Sequence, residues 1–310
     1  MLVLLPAFLF GQANKLYRQA LRTTDIQERI GLLDQVIALE SNNLDAYFYR
    51  GLAKNDLGDY QGAIIDYSKI LIKEPDADTY FNRGNSRYNL QDLEGAKADY
   101  AMAVASDKSF IDAQYSLACA QYDLGEYEDA IKTFSSVLQL VPDLQIAYTL
   151  RASAYFALKD YKNALKDYSN AILARPDSDA FYNRGVYFLD IKYYDRAKSD
   201  LNVAIRLDKE NPFKYFHRGA ANLFLGKFDD AIDDFSKSLE FDALDFDAML
   251  GLAMTYLKLN NMEMATIYFD KAKSIVAEGS SENDLDIFDK SYWYSKHYFY
   301  FQNTISELLN

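Results

Sequence analysis

The chain has 310 residues, 33 of them basic and 46 acidic, and a formal net charge of −13. That balance lacks the basic footprint that phosphate backbones and anionic membrane surfaces require, so nucleic acid is not an expected partner. Half the residues are apolar and a quarter charged, with only 13 Gly and 5 Pro, the composition of a folded, helix-rich protein.

Residues Met1 to Phe10 form an uncharged apolar run, followed by the small-x-small triplet Gly11-Gln12-Ala13 and polar sequence from Asn14. The run is half the length of a membrane-spanning helix, which needs about 20 residues. It matches the apolar core of a signal peptide, although no Lys or Arg precedes it. Two readings stand: an export signal over 1–13, which places the mature protein in the periplasm or envelope without a transmembrane span, and an apolar cap on a cytoplasmic fold. Residues 14–43 hold two helical stretches broken at Thr23-Thr24-Asp25, read as a degenerate first hairpin.

From Leu44 the chain repeats itself. Ala63, Ala96, Ala130, Ala164, Ala197, Ala231 and Ala265 recur every 33 or 34 residues, a period that signals a solenoid. Twelve residues before each stands Gly51, Gly84, Ala118, Ala152, Gly185, Gly219 or Ala253. Four after each stands Tyr67, Tyr100, Phe134, Tyr168, Leu201, Phe235 or Phe269. The units are 44–76, 77–110, 111–144, 145–177, 178–211, 212–245 and 246–279. Each holds two helical stretches: Gly58, Gly125 and Gly226 stop the first, Asp59, Asp92 and Asp160 cap the second, and Pro75, Pro142 and Pro176 close it. The small residues let the two helices approach, and the following aromatic fills the adjoining groove. Flanks of 43 and 31 residues are too short for a separate catalytic domain.

An ion pair is legible from the units alone. Arg50, Arg83, Arg151, Arg184 and Arg218 precede the small residue; Asp66, Asp99, Asp167, Asp200 and Asp234 precede the groove-filling residue. The third unit has Leu117 and Thr133 there, the seventh Leu252 and Tyr268, so Arg and Asp are present or absent together. The pattern predicts a salt bridge between the two helices of each of these five units, for which the planar guanidinium fork is suited.

The segment Tyr80-Phe81-Asn82-Arg83-Gly84 followed by Gly95-Ala96-Lys97-Ala98-Asp99-Tyr100 resembles the tetratricopeptide repeat, as does the unit from Gln145 through Pro176. The resemblance covers about three quarters of the chain. It implies an all-α fold, a right-handed superhelical solenoid of antiparallel helix pairs whose first helices line a concave groove, and a non-catalytic protein-binding scaffold. Carried over by position, the groove row is Phe48, Phe81, Tyr115, Thr149, Tyr182, Phe216 and Leu250, with a second row that includes Tyr88 and Tyr122. Asp45, Asp78, Asp112, Asp179 and Asp247 border it on one side, and Asp56, Asp123 and Asp190 on the other. Such an aromatic, acidic trough calls for a protein or peptide segment with apolar anchors and basic flanks. Asn82 and Asn183 stand where the family's backbone-binding asparagine stands. Phe48, Phe81 and Tyr182 replace the basic residues with which some members clamp a chaperone's C-terminal carboxylate, so that ligand does not fit.

After an acidic insert at 280–284, Tyr292 to Phe301 resembles the first helix of an eighth unit, with a short last helix at Thr304 to Leu309. Trp293 and its aromatic neighbours form the densest ring cluster of the chain. They read as a cap or as a docking surface, the latter giving the alternative function of a fixed subunit in a cell-envelope assembly. No Gly-rich phosphate loop, dinucleotide fingerprint, His-Glu-x-x-His motif or Gly-x-Ser-x-Gly elbow occurs. The expected protein is not an enzyme and has no cofactor, metal site or catalytic residue. Cys119 and His217 are read as packing and hydrogen-bonding residues of first helices.

Overall fold

The computed structural model describes residues 4–276 and 285–308, and these are helical throughout, with no strand among them. The acidic insert at 280–284 lies outside the described residues, as do Met1 to Val3 of the apolar run. Two compact units divide the chain, residues 1–164 and 165–310.

In the first unit, α1 (Leu4–Ala20) pairs with α2 (Ile26–Leu39), α3 (Leu44–Asp56) with α4 (Tyr60–Leu71), α5 (Ala77–Asn89) with α6 (Leu93–Ser106), and α7 (Ile111–Asp123) with α8 (Tyr127–Leu140). Each second helix also packs on the next first helix, up to α9 (Gln145–Ala157). The boundary falls inside α10 (Tyr161–Ala174). In the second unit, α11 (Ser178–Asp190) pairs with α12 (Tyr194–Leu207), α13 (Pro212–Phe224) with α14 (Phe228–Phe241), and α15 (Phe246–Lys258) with α16 (Met262–Val276). The last helix, α17 (Tyr292–Ile305), ends in a 3-10 turn at Ser306–Leu308.

The repeat alanines are the closest contacts of the hairpins, and all seven have no exposed surface. The groove-filling residue beside each is buried too, from Tyr67 to Phe269. Packing is tight enough that a Cβ added at Gly51 would lie 2.7 Å from the Tyr67 ring, and one added at Gly251 2.6 Å from the Phe235 ring. Glycine is required there by space, not by backbone conformation.

Helix stops are uniform across the array. Gly58, Gly125 and Gly226 take the left-handed conformation, and Gln91, Lys159, Lys192 and Asn260 take it at the matching places of the other four units. Three of those four carry a β-carbon and a long side chain, for which this conformation costs roughly 1–2 kcal/mol; the hairpin packing on either side imposes it. The carboxylates of Asp59, Asp92 and Asp160 accept the backbone N–H three residues on, at 2.9, 3.0 and 3.2 Å, and so cap the second helices.

The two ends differ from the sequence expectation in detail. Helix α1 runs unbroken across Gly11-Gln12-Ala13, and Ala13 is 1% exposed. Helix α17 continues through Thr304 to Ile305 where a separate last helix was expected. It packs on the first helix α15, and its Trp293 meets the rings of Phe216 and Phe224 on α13.

Candidate functional site

Four of the five predicted Arg–Asp pairs have both partners inside one unit. Arg50 donates to Asp66 through Nε at 2.9 Å and through Nη2. Arg83 donates to Asp99 at 2.8 and 2.7 Å, Arg184 to Asp200 at 2.7 and 2.9 Å. Arg218 donates to Asp234 through Nε at 2.9 Å and through Nη2. Arg151 and Asp167 stand on either side of the unit boundary; Arg151 Nη1 donates to Ser135 Oγ at 2.8 Å, and Asp167 accepts from Asn170 at 3.4 Å.

Each arginine makes a further hydrogen bond that the repeat pattern does not announce. Nη1 reaches back to the preceding second helix, to Asp34 from Arg50, Ser68 from Arg83, Ser135 from Arg151, Ser169 from Arg184 and Asn202 from Arg218. The guanidinium therefore joins hairpin to hairpin as well as helix to helix. A short polar residue stands 15 or 16 places before each arginine, but Ser236 stands there before Leu252 as well, so the pattern does not single out the arginine-bearing units. A second donor one turn after the arginine also reaches the same carboxylate: Lys54 to Asp66, Arg87 to Asp99 and Asn222 to Asp234, at 2.9, 2.9 and 2.8 Å.

The predicted groove row is placed differently from the expectation. The Phe48, Phe81, Tyr115 and Phe216 rings each face the groove-filling ring of their own hairpin, with centroids 5.8–6.1 Å apart. Phe216 is only 4% exposed, because Tyr292 and Trp293 of α17 cover it. The first three are half-buried and show an edge to solvent. Tyr88 and Tyr122 link neighbours: the Tyr88 hydroxyl donates to Asp123, and Tyr122 packs on Tyr127 at 5.4 Å. Asn82 Nδ2 donates to the Asp78 carbonyl at 2.8 Å, a bond within its own helix. Asn183 is half-buried, and Asp112 is exposed at the start of α7. Burial pushes the Cys119 thiol up to about 11, which keeps it protonated and unreactive.

A cleft opens between α3 and α5 in the first unit. About 450 Å³ in volume, it is lined by Leu44, Asp45, Phe48, Ile70, Glu74, Pro75, Asp76, Asp78 and Thr79. Four carboxylates and no cation border it. Asp76 caps α5 through the Thr79 N–H at 2.8 Å, while Asp45, Glu74 and Asp78 are exposed.

In the second unit the corresponding face is occupied by α17. Trp293 has no exposed surface and lies among Phe216, Phe235 and Phe224, with centroids at 5.8, 6.0 and 6.3 Å. Its indole N–H donates to the Asp247 carbonyl at 2.7 Å, and the Tyr292 N–H donates to the Asp247 carboxylate at 2.8 Å. Tyr292 covers Phe216 and His217, and Tyr182 packs edge-on against His217 at 5.5 Å. Lys296 reaches Asp190 on α11 at 3.5 Å. Tyr182 therefore faces the chain's own last helix across His217 and not an open trough. Asp179, 76% exposed, stands 3.9 Å from Lys214.

The chain's two histidines both belong to this contact. His217 Nδ1–H donates to the Phe213 carbonyl at 2.7 Å, and the Tyr292 hydroxyl and His297 Nε2 share a hydrogen bond at 3.1 Å. Burial, with Lys296 nearby and Lys192 beside His297, pushes each imidazole down to about 4. Burial pushes the Asp247 carboxyl up to about 7. Between pH 6.5 and 4 the unfolded chain binds two protons that the folded histidines refuse, and the fold keeps one on Asp247 that the unfolded chain has released. For these three groups the balance lowers stability as pH falls through that window, while Asp190 and Asp234, whose carboxyls burial also pushes up, oppose it. Above pH 6.5 only the ionisation of Asp247 remains, which lowers stability as pH rises through about 7. The urea midpoint followed by Trp293 emission is accordingly expected to peak near pH 6.5, with a shallower acid limb in His297→Gln. A midpoint that climbs steadily on acidification contradicts this.

These hairpins have close counterparts. A tetratricopeptide repeat family model matches residues 81–144, 149–212 and 218–281, and a second matches residues 45–77. The chain belongs to the tetratricopeptide repeat family. Over 101 residues it is 39% identical to serine/threonine-protein phosphatase 5 of Homo sapiens, a match over 32% of this chain and 20% of that one. RNA polymerase II-associated protein 3 of Xenopus laevis is 30% identical over 124 residues, 40% of this chain and 14% of that one. The chain thus spans about a fifth or less of the length of these relatives. A tetratricopeptide repeat protein from Parabacteroides merdae has a TM-score of 0.61 at 20% identity, over 77% of this chain and 94% of that one. A chain of the APC/C hetero-tetramer Cut9–Hcn1 has a TM-score of 0.57 at 17% identity, over 91% of this chain and 54% of that one. At such identities the structural likeness speaks to the fold. Tetratricopeptide arrays of this kind are protein-interaction scaffolds, and this solenoid is one. No described helix is long and apolar enough to cross a membrane.

Proposed function

We propose that this tetratricopeptide protein is a non-catalytic scaffold that receives a peptide segment with apolar and basic residues at the cleft between α3 and α5. The observation that carries the reading is the cleft's lining: Phe48, Leu44, Ile70 and Pro75 give it an apolar floor, and Asp45, Glu74, Asp76 and Asp78 ring it without a cation. A Lys or Arg flanking an apolar anchor gains charge-assisted hydrogen bonds there, and like-charged segments are repelled. Panning a random peptide library on the full chain should enrich sequences that join Trp, Phe or Leu to Lys or Arg. Charge reversal by Asp45→Lys with Asp78→Lys, both exposed, is expected to weaken the enriched peptides at least tenfold. Enrichment of acidic peptides, or affinity indifferent to the double substitution, would overturn the reading.

A second reading, a fixed subunit of an envelope assembly docked through α17, draws support from the outward rings of that helix: Phe299 is 78% exposed and Tyr298 36%. It predicts loss of the assembly in Phe299→Ser with groove variants harmless. Export of the chain belongs to this reading, and sequencing of the N-terminus of the protein from its native cell tests it.

A further inference from the structure

The face that α11, α13 and α15 turn toward α17 has the parts of a receptor for a helix. An aromatic pocket formed by Phe216, Phe224 and Phe235 takes Trp293 whole. Asp247 offers a carboxylate to the Tyr292 N–H at the start of the helix and a carbonyl to the indole N–H. Asp190, with a side chain 14% exposed, accepts Lys296 one turn further on. Beyond it, Phe224 and the Lys258 ammonium hold the Tyr300 ring, at 4.9 and 5.6 Å. Every one of these receptor groups comes from the repeats. They read a pattern that α17 happens to carry: two adjacent rings, a lysine three residues after the second ring, and a further ring four residues after the lysine. This is the helix-in-groove mode of recognition, with anchors on one face at helical spacing.

Three features set this contact apart from a sealed cap. The floor contains polar and titratable groups, His217 and Asp247, where a dry aliphatic layer would hold a permanent cap more firmly. The helix leaves helical geometry at His297 (φ −136°, ψ 38°), and beyond that bend Tyr300 lies on Phe224. Its far side stays aromatic and open at Tyr298 and Phe299. The occupant buries Trp293, Phe301, Thr304 and Ile305 and leaves the Tyr298 and Phe299 rings outside.

We infer that the α11–α13–α15 face is an exchangeable helix-binding site, and that α17 is a resident occupant which yields to a partner protein's helix carrying an aromatic pair followed by lysine. Tethering gives α17 a high effective concentration, so an external helix binds with its intrinsic affinity reduced by the fraction of chains whose groove is free. Weakening the resident helix therefore raises the affinity for the external one. The inference does not rest on the cleft at Asp45 and Asp78, and the two tests fail separately.

Trp293 is the only tryptophan of the chain and reports the exchange directly. The probe is a labelled synthetic peptide of residues 289–306, used with the full-length chain. It is expected to bind the full chain bearing Trp293→Ala at least tenfold more tightly than wild type, and a peptide made with Trp293→Ala is expected not to bind. An unlabelled peptide made with Trp293→Phe, itself silent at tryptophan wavelengths, should shift wild-type Trp293 emission to the red at saturation. Lys296→Glu in the full chain, at a half-exposed position, provides the same weakening should Trp293→Ala fail to fold. No binding to either folded variant, with Trp293 emission unmoved by peptide, overturns the inference. A concentration-dependent dimer that exchanges α17 between copies, without capture of the peptide, overturns it as well.

Discussion

Removal of the Asp234 carboxylate by Asp234→Ala is expected to lower the unfolding free energy by about 3–5 kcal/mol. The side chain is 5% exposed and accepts from Arg218 and from Asn222. Without it the guanidinium, 23% exposed, keeps only Asn202 on the neighbouring helix, and Asn222 loses the acceptor of its amide. Burial by itself pushes the Asp234 carboxyl up, and Arg218 opposes the shift, so the cation is what makes an ionised carboxylate tolerable there. The companion change Arg218→Met with Asp234→Leu should recover most of the loss, because two apolar side chains leave no orphaned charge. Asp230→Ala, on the exposed side of the same helix, is the control and is expected to stay within about 0.5 kcal/mol. Urea denaturation followed by circular dichroism measures all of these. A loss under 1 kcal/mol in Asp234→Ala would show that the pairs are surface bridges of little weight.

Phe235→Ala is expected to cost a similar amount, about 3–5 kcal/mol, for a different reason. The ring fills the space between Gly219 of its own hairpin and Gly251 of the next, and it also forms one wall of the Trp293 pocket. Its removal opens one cavity at three contacts. Trp293 emission in Phe235→Ala should move to the red before any denaturant is added. Phe134→Ala removes an equally buried ring from the first unit and should cost comparable stability with no spectral change. A matching red shift in Phe134→Ala would mean that the tryptophan reports general loosening and not the groove. Because repeat arrays unfold by neighbouring units, both variants are best read by two probes, helicity for the array and emission for α17.

The places where sequence reasoning succeeded share one property. Ala63 to Ala265, the paired small residues and the Arg–Asp pairs are contacts made at constant separation within one hairpin, so a fixed period exposes them. The further bond of each arginine obeys the same period, yet it runs between hairpins to Asp34, Ser, Ser, Ser and Asn, residue types too varied to be noticed without coordinates. The left-handed stops at Gln91, Lys159, Lys192 and Asn260 were invisible as residue types and visible only as register with Gly58. The groove was the least legible part. Phe48, Phe81, Tyr115 and Phe216 carry family groove positions, but a large ring there turns onto the aromatic beneath it, since burying two rings together is more favourable than exposing both.

By itself the sequence determined the repeat period, the glycines and alanines at the hairpin crossings, and the ion pair that recurs in them. All of these are local or strictly periodic, and a helical pattern with a repeat leaves them no alternative. Only the tertiary structure decided where α17 goes. An amphipathic aromatic helix at the end of a solenoid has two apolar surfaces to choose between, the exposed flank of α16 and the face of α13 and α15. Periodicity is the same for both. The choice fell to shape and polarity: the pocket walled by Phe216, Phe224 and Phe235 matches an indole, and Asp247 offers acceptors for the N–H groups that accompany it.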